Sequence, residues 1–309
     1  MKFSGIGILI IVSSILLGCE TTKRNPDAVI DPITYQSEID NWYAKRIENL
    51  KSENGWLNLA GLFWLKEGMN TFGSGANNDI VFPEGKIPER AGFFMVNQAV
   101  VKMEVAPSVH ITQGGKPVMS TIIFSPDSTS NPKLEHGSLR WFIIKRDNIV
   151  GIRLRDVESE GVQKFDGIDR YPVDQKWRVE AAVEQSPEPR TISITNVLGQ
   201  TTDQVSPGTL VFTIDEKEYR LDALAEGDEL FIIFGDPTNE EETYPSGRYV
   251  YAKRPDENGK TILDFNKAYN PPCAFTPFAT CPLPPKQNVL QVDVKAGEKK
   301  YLGYDHEKH

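Results

Sequence analysis

Apolar residues follow two different patterns along the first 54 positions. From Phe3 to Leu17 they are nearly continuous, broken by serines and glycines, behind one positive charge at Lys2. From Tyr35 to Asn54 they recur at three- and four-residue steps, as Ile39, Trp42, Tyr43, Ile47 and Leu50 among Glu38, Asp40, Lys45, Arg46 and Glu48. That spacing predicts an amphipathic helix closed by Gly55. From Trp56 onward, short apolar runs separated by Gly, Pro and Asn predict strands. They fall at Trp56–Leu65, Asn70–Phe72, Asp79–Phe82, Ala91–Val96, Ala99–Val105, Val109–Gln113, Thr121–Phe124, Leu139–Lys145 and Ile149–Arg155. A second series covers Trp177–Glu184, Arg190–Thr195, Thr209–Ile214, Lys217–Asp222, Glu229–Phe234, Arg248–Tyr251 and Leu290–Val294. Strands and helices do not alternate, so no parallel sheet is expected. The pattern predicts an all-β body, sandwich or barrel-like, in two β-layered halves behind one N-terminal α-helix. The halves are expected over 35–160 and 161–304, with a short tail at 305–309.

The leading run is too short to span a bilayer comfortably and has the layout of a secretory signal. It ends Leu16-Leu17-Gly18-Cys19, which resembles the bacterial lipobox. Residues 1–18 are therefore expected to be a removed signal peptide and Cys19 the lipidated new N-terminus. Positions 19–34 are polar and without apolar period, as suits a tether. The expected location is the cell envelope, outside the cytoplasm, with the membrane as a partner through the Cys19 anchor.

Composition narrows the rest. A chain 39% hydrophobic and 25% charged folds. A formal charge of -9 gives no counterion-release gain on a polyphosphate, so nucleic-acid binding is not expected. With Cys19 assigned, Cys273 and Cys281 remain as a proline-flanked pair in an oxidising compartment. They read as a disulfide closing a small loop, with a zinc pair as the weaker alternative because no histidine lies near. No metal or cofactor is expected.

Chemistry-bearing residues gather late in the chain. Asp236, Thr238, Tyr244 and Arg248 crowd one loop between apolar strands, and Asp264, Asn266, Tyr269 and Asn270 open a long proline-rich one. In one reading they converge as a ligand-binding pocket, with Arg248 gripping a carboxylate or phosphate. In the other, Arg248 is paired to Asp236 or Glu242 and the long loop plugs one end of the β core, burying Phe275 and Phe278. There is no Gly-x-Ser-x-Gly elbow, no His-Glu-x-x-His run and no phosphate loop. Enzyme status stays open. The leading expectation is a small-ligand or peptide-binding module. The alternatives are a hydrolase using polar residues of the 236–281 loops and a structural partner in an envelope complex.

Two resemblances add to this. The stretch Lys66 to Ser74, followed by Asn77-Asn78-Asp79-Ile80-Val81-Phe82-Pro83, resembles the opening of forkhead-associated domains, β-sandwiches that bind phosphothreonine peptides. Ser74 stands where that family has arginine, and Pro88-Glu89-Arg90-Ala91-Gly92 replaces its Ser-Arg-x-x-His run. The resemblance implies a sandwich without the phosphate-holding groups. Gly55-Trp56-Leu57, the 68–74 stretch, Glu242-Thr243-Tyr244, Gly247-Arg248-Tyr249, Leu263-Asp264-Phe265-Asn266, Tyr269 through Phe275, and Cys281-Pro282-Leu283-Pro284-Pro285 together resemble a bacterial and archaeal family, domain of unknown function 1684. That resemblance covers nearly the whole body and implies no established activity. Cytoplasmic members are expected to carry the same two cysteines, which keeps a thiol or metal role open.

Overall fold

Asp31 starts the helix. Its carboxylate accepts hydrogen bonds from the Thr34 amide and hydroxyl, and Pro32 at the first helical position has no amide to leave unsatisfied. Helix α1 thus runs Pro32–Lys51, three residues earlier at each end than its apolar period predicts, and takes the last three positions assigned to the tether. The computed structural model describes residues 30–303 apart from 147–148, 186–187 and 189. The expected signal peptide at 1–18, the expected lipidation site Cys19, tether positions 20–29 and the 305–309 tail lie outside them.

Eleven strands follow: β1 (Leu59–Trp64), β2 (Gly68–Gly73), β3 (Ile80–Val81), β4 (Gly92–Asn97), β5 (Val100–Val105), β6 (Ile111–Gln113), β7 (Lys116–Val118), β8 (Ser120–Phe124), β9 (Leu134–His136), β10 (Leu139–Arg146) and β11 (Ile149–Asp156). They form a six-stranded sheet ordered β1-β11-β10-β9-β6-β7 and a five-stranded sheet ordered β3-β2-β4-β5-β8. Phe72, Phe94 and Met103 from the second sheet pack on Trp141, Ile152 and Leu154 from the first, giving a sandwich core. Phe72 stacks on Phe94 at 4.5 Å between centroids, and Phe82 meets Trp141 edge-on at 5.4 Å. Pairing among these strands is antiparallel except for the two-residue contact of β2 with β3, a parallel exception to the expected pattern.

A four-residue helix, α2 (Glu160–Gln163), leads into the second half. There β12 (Arg178–Glu184), β13 (Arg190–Thr195), β14 (Thr201–Ser206), β15 (Gly208–Ile214), β16 (Lys217–Glu226), β17 (Glu229–Phe234), β18 (Arg248–Lys253) and β19 (Lys260–Asp264) follow. Strands β12-β15-β16-β17-β18-β19 close into a barrel, and the β13–β14 hairpin lies outside it. Closure removes the free edges that an open sheet would expose. Strict alternation fills the barrel: Leu230, Ile232, Phe234, Val250 and Ala252 point in, and Phe231, Ile233 and Tyr249 belong to an outer cluster with Ile192 and Ile194 of the hairpin.

The strand expected at Leu290–Val294 is not one. Leu290 and Val294 are buried four residues apart in irregular chain, and the Leu290 amide donates to the Gly235 carbonyl. This segment seals an end of the barrel, where its apolar residues pack without a ladder. Trp56, Leu57 and Asn58 are likewise outside β1, in the turn after α1.

Candidate functional site

Helix α1, the β10–β11 hairpin and the outer face of the barrel enclose a cleft of about 820 Å³. Each wall follows from a local periodicity. Trp42, Lys45, Arg46 and Asn49 occupy one stripe of α1 because they are three and four residues apart. Phe231, Tyr249 and Tyr251 reach the cleft because their inward-pointing neighbours fill the barrel. Tyr269 joins them, its backbone bridged to Tyr249 by two hydrogen bonds of 2.9 Å. Tyr251 and Tyr269 are nearly parallel, 10° apart with centroids at 6.2 Å, and Trp42 lies 6.5 Å from Tyr269. Trp56, from the turn after α1, contributes a further ring. Ala279, Thr280, Cys281 and Pro282 form the rim, held by a disulfide between Cys273 and Cys281.

Hydrogen bonds fix the tyrosines. The Tyr249 hydroxyl donates to the Pro282 carbonyl at 2.8 Å and the Tyr251 hydroxyl to Glu226 at 2.9 Å. Burial pushes Tyr249, Tyr251 and Tyr269 above the ordinary tyrosine range, so all three stay protonated at neutral pH.

The cations of the cleft differ in partnership. Arg46 is engaged: its Nε lies 3.0 Å from Glu298, a second nitrogen donates to the Asn270 carbonyl, and the guanidinium sits 4.6 Å above the Tyr269 ring. Arg153 lies 5.9 Å from the Trp56 ring, and its buried Nε has no hydrogen-bond partner among the described residues. Burial, then the charge of Arg146, lowers its proton affinity. Lys45, Arg146 and Arg153 have no carboxylate within 4.0 Å among the described residues.

The eight residues singled out from the sequence do not meet in one pocket. Arg248 is fully buried inside the barrel, 2.9 Å from Asp236, and donates to the carbonyls of Val294, Ala296 and Glu298. Asp236 also accepts from the Thr238 amide and hydroxyl and from the Val294 amide. Gly247, at φ 86°, precedes it with the Phe234 carbonyl oxygen 2.5 Å from where a Cβ would stand, so a side chain is excluded there. Tyr244 is buried in the cluster joining α1 to the second half. Asp264 and Asn266 form a second buried network with Tyr35 of α1, whose hydroxyl donates to Asp264 and accepts from Asn266, both at 2.8 Å. Burial raises the Asp264 pKa. Asn270 donates through its amide to Glu298 and through its side chain to the Lys299 carbonyl. Tyr269 alone of the eight lines the aromatic cleft. The residues that sequence reasoning passed over are Trp42, Arg146, Arg153, Phe231, Tyr249 and Tyr251. Their signals were the helix stripe and the cluster Lys145, Arg146, Arg153 and Arg155 in one hairpin.

A family model described as protein of unknown function DUF1684 matches residues 163–299. The solution NMR structure of an uncharacterized protein of Haloarcula marismortui is 32% identical over 47% of this chain and 82% of its own, with a TM-score of 0.39. The chain belongs to the DUF1684 family. The matched span holds the barrel, the disulfide loop and the tyrosine wall, and excludes the N-terminal sandwich that supplies Arg146 and Arg153. This DUF1684 protein is also similar to the FhaA FHA domain complexed with the intracellular domain of Rv3910, at 15% identity over 30% of this chain and 97% of that one, TM-score 0.22. A second FHA domain, from a study of phosphothreonine-dependent interactions, matches at 16% identity over 30% and 92%, TM-score 0.22. No curated protein matches.

Proposed function

We propose that the protein is a binding module for a small ligand, held in the aromatic cleft and tethered outside the cytoplasm by lipid on Cys19. The observation that carries the binding reading is the cleft itself. Its volume of about 820 Å³ lies in the range of small-molecule sites, and aromatic walls with a few placed polar groups are how such sites are built. The tether rests on the lipobox-like Leu16-Leu17-Gly18-Cys19.

Trp42 and Trp56 line the cleft and make it a fluorescent reporter. Screening the full chain against a chemically diverse set of small molecules should yield compounds that change tryptophan emission and raise Tm together. A ligand at a hundred times its Kd stabilises by about 2.7 kcal/mol. Tyr251→Ala should abolish both responses. If no compound stabilises the chain and native mass spectrometry of protein from the envelope finds no retained mass, the binding reading fails. Cys19→Ala should release the protein from membranes, and unchanged membrane association would sink the tether.

A further inference from the structure

Building on the cleft reading above, we infer that its ligand is a planar ring bearing a carboxylate, sulfonate or phosphate, with the anion against Arg146 and Arg153 and the ring against the tyrosine wall. Four observations converge on it.

Four other buried or half-buried arginines show the contrast. Arg46 has Glu298, Arg190 has Asp222, Arg248 has Asp236, and Arg155 donates to Asn58 and the Gly55 carbonyl. Among the described residues, Arg153 has only the face of Trp56. Its strand position explains the placement. Register sets it opposite Phe142 on one side and Leu62 on the other, on the outer face of a sheet whose inner face is the sandwich core. A cation–π contact at 5.9 Å from the Trp56 ring leaves its terminal nitrogens for an external acceptor.

Arg146 sits near the tip of the same hairpin, close enough for its charge to act on Arg153, and both line the cleft together with Lys45 of α1. Like charges with no described carboxylate between them repel, and an anion relieves that repulsion. The one acidic residue among the described lining, Glu226, is tied to the Tyr251 hydroxyl. A local positive site on a chain of net charge -9 is a departure from the global charge, and a concave wall concentrates its field. The opposite wall is aromatic, which suits a ring over a flexible chain or a bare ion.

Isothermal titration of the full chain at low ionic strength tests this with four probes: 2-naphthoate, its neutral isostere 2-naphthamide, 2-naphthyl phosphate and inorganic phosphate. One of the two anionic rings should bind at least roughly tenfold tighter than the amide, the scale of a charge-assisted hydrogen bond. Which of the two is tighter assigns the anion as carboxylate or phosphate. Arg153→Gln should erase most of the preference, and Arg153→Lys should restore part of it by keeping the charge without the fork. Since Arg153 is half-buried, Lys45→Gln with Arg146→Gln, both exposed, serves as the variant that spares the fold. Equal affinity for 2-naphthoate, 2-naphthyl phosphate and 2-naphthamide would overturn the anionic assignment and leave the cleft reading standing. Inorganic phosphate binding as tightly as the rings would overturn the ring. Silence from all four probes, alongside an empty screen, would overturn the cleft reading itself.

Discussion

Replacing Arg248 by methionine keeps most of the side-chain volume and removes the charge from the middle of the barrel. The wild-type guanidinium is fully buried and serves four acceptors: Asp236 at 2.9 Å and the carbonyls of Val294, Ala296 and Glu298 at 2.8, 2.5 and 3.3 Å. In Arg248→Met the three carbonyls lose these donors. Asp236 keeps the Thr238 and Val294 donors on one oxygen and loses its partner on the other. Removing one member of a buried ion pair costs about 3–5 kcal/mol, and the three carbonyls place this case at the upper end. The double variant Arg248→Met with Asp236→Asn should cost less than the two single losses added, because it leaves no unpaired charge. Urea unfolding followed by tryptophan fluorescence reads the loss directly, provided the denaturant slope is unchanged. A cost below about 1 kcal/mol for Arg248→Met, with single and double variants additive, would refute the reasoning. It would return Arg248 to the role of an exposed ligand group.

Two further perturbations test the surroundings of the cleft. Burial raises the Asp264 pKa above 3.8, so the folded state binds its proton more strongly than the unfolded one. Stability then falls as pH rises from about 3.8 through the folded pKa, and Asp264→Asn should flatten that fall. Urea midpoints measured across the acid range check it, and parallel profiles for the two proteins would contradict it. Reducing the Cys273–Cys281 disulfide, which spans eight positions, should cost about 2.5 kcal/mol by loop entropy and also weaken any ligand held at the rim. An unchanged unfolding midpoint under reductant would count against that estimate.

The strands that could be read in advance are those whose alternation is strong. Arg190–Thr195 and Glu229–Phe234 begin and end where the apolar pattern places them. Strands Lys116–Val118, Leu134–His136, Thr201–Ser206 and Lys260–Asp264 escaped that pattern. They are short or polar, each with too few apolar residues to show a period, and five of the six residues of Thr201–Ser206 are exposed. Leu290–Val294 failed in the opposite sense, because burial at a barrel end needs apolar residues without needing a ladder. Arg248 and Asp236 look like a ligand grip in one dimension. Only closure of the barrel decides that the odd positions of β18, which carry Tyr249 and Tyr251, face outward while Arg248 faces in. The cleft draws its cations and tryptophans from one half and its tyrosines from the other, and no local window of sequence contains both walls.

The helix reaches across the chain in time as well as in space. Tyr35 bonds Asp264, Arg46 bonds Glu298 and the Asn270 carbonyl, and these contacts join residues 229, 252 and 224 positions apart. A helix made first therefore completes its contacts only with the last segment of the chain. The sandwich of strands β1 to β11 has its own core and can condense while the rest is still emerging. The cleft therefore needs both ends of the chain in place. Closing such long loops is slow, so a chain cut short near residue 260 would fold its first half and never assemble the site.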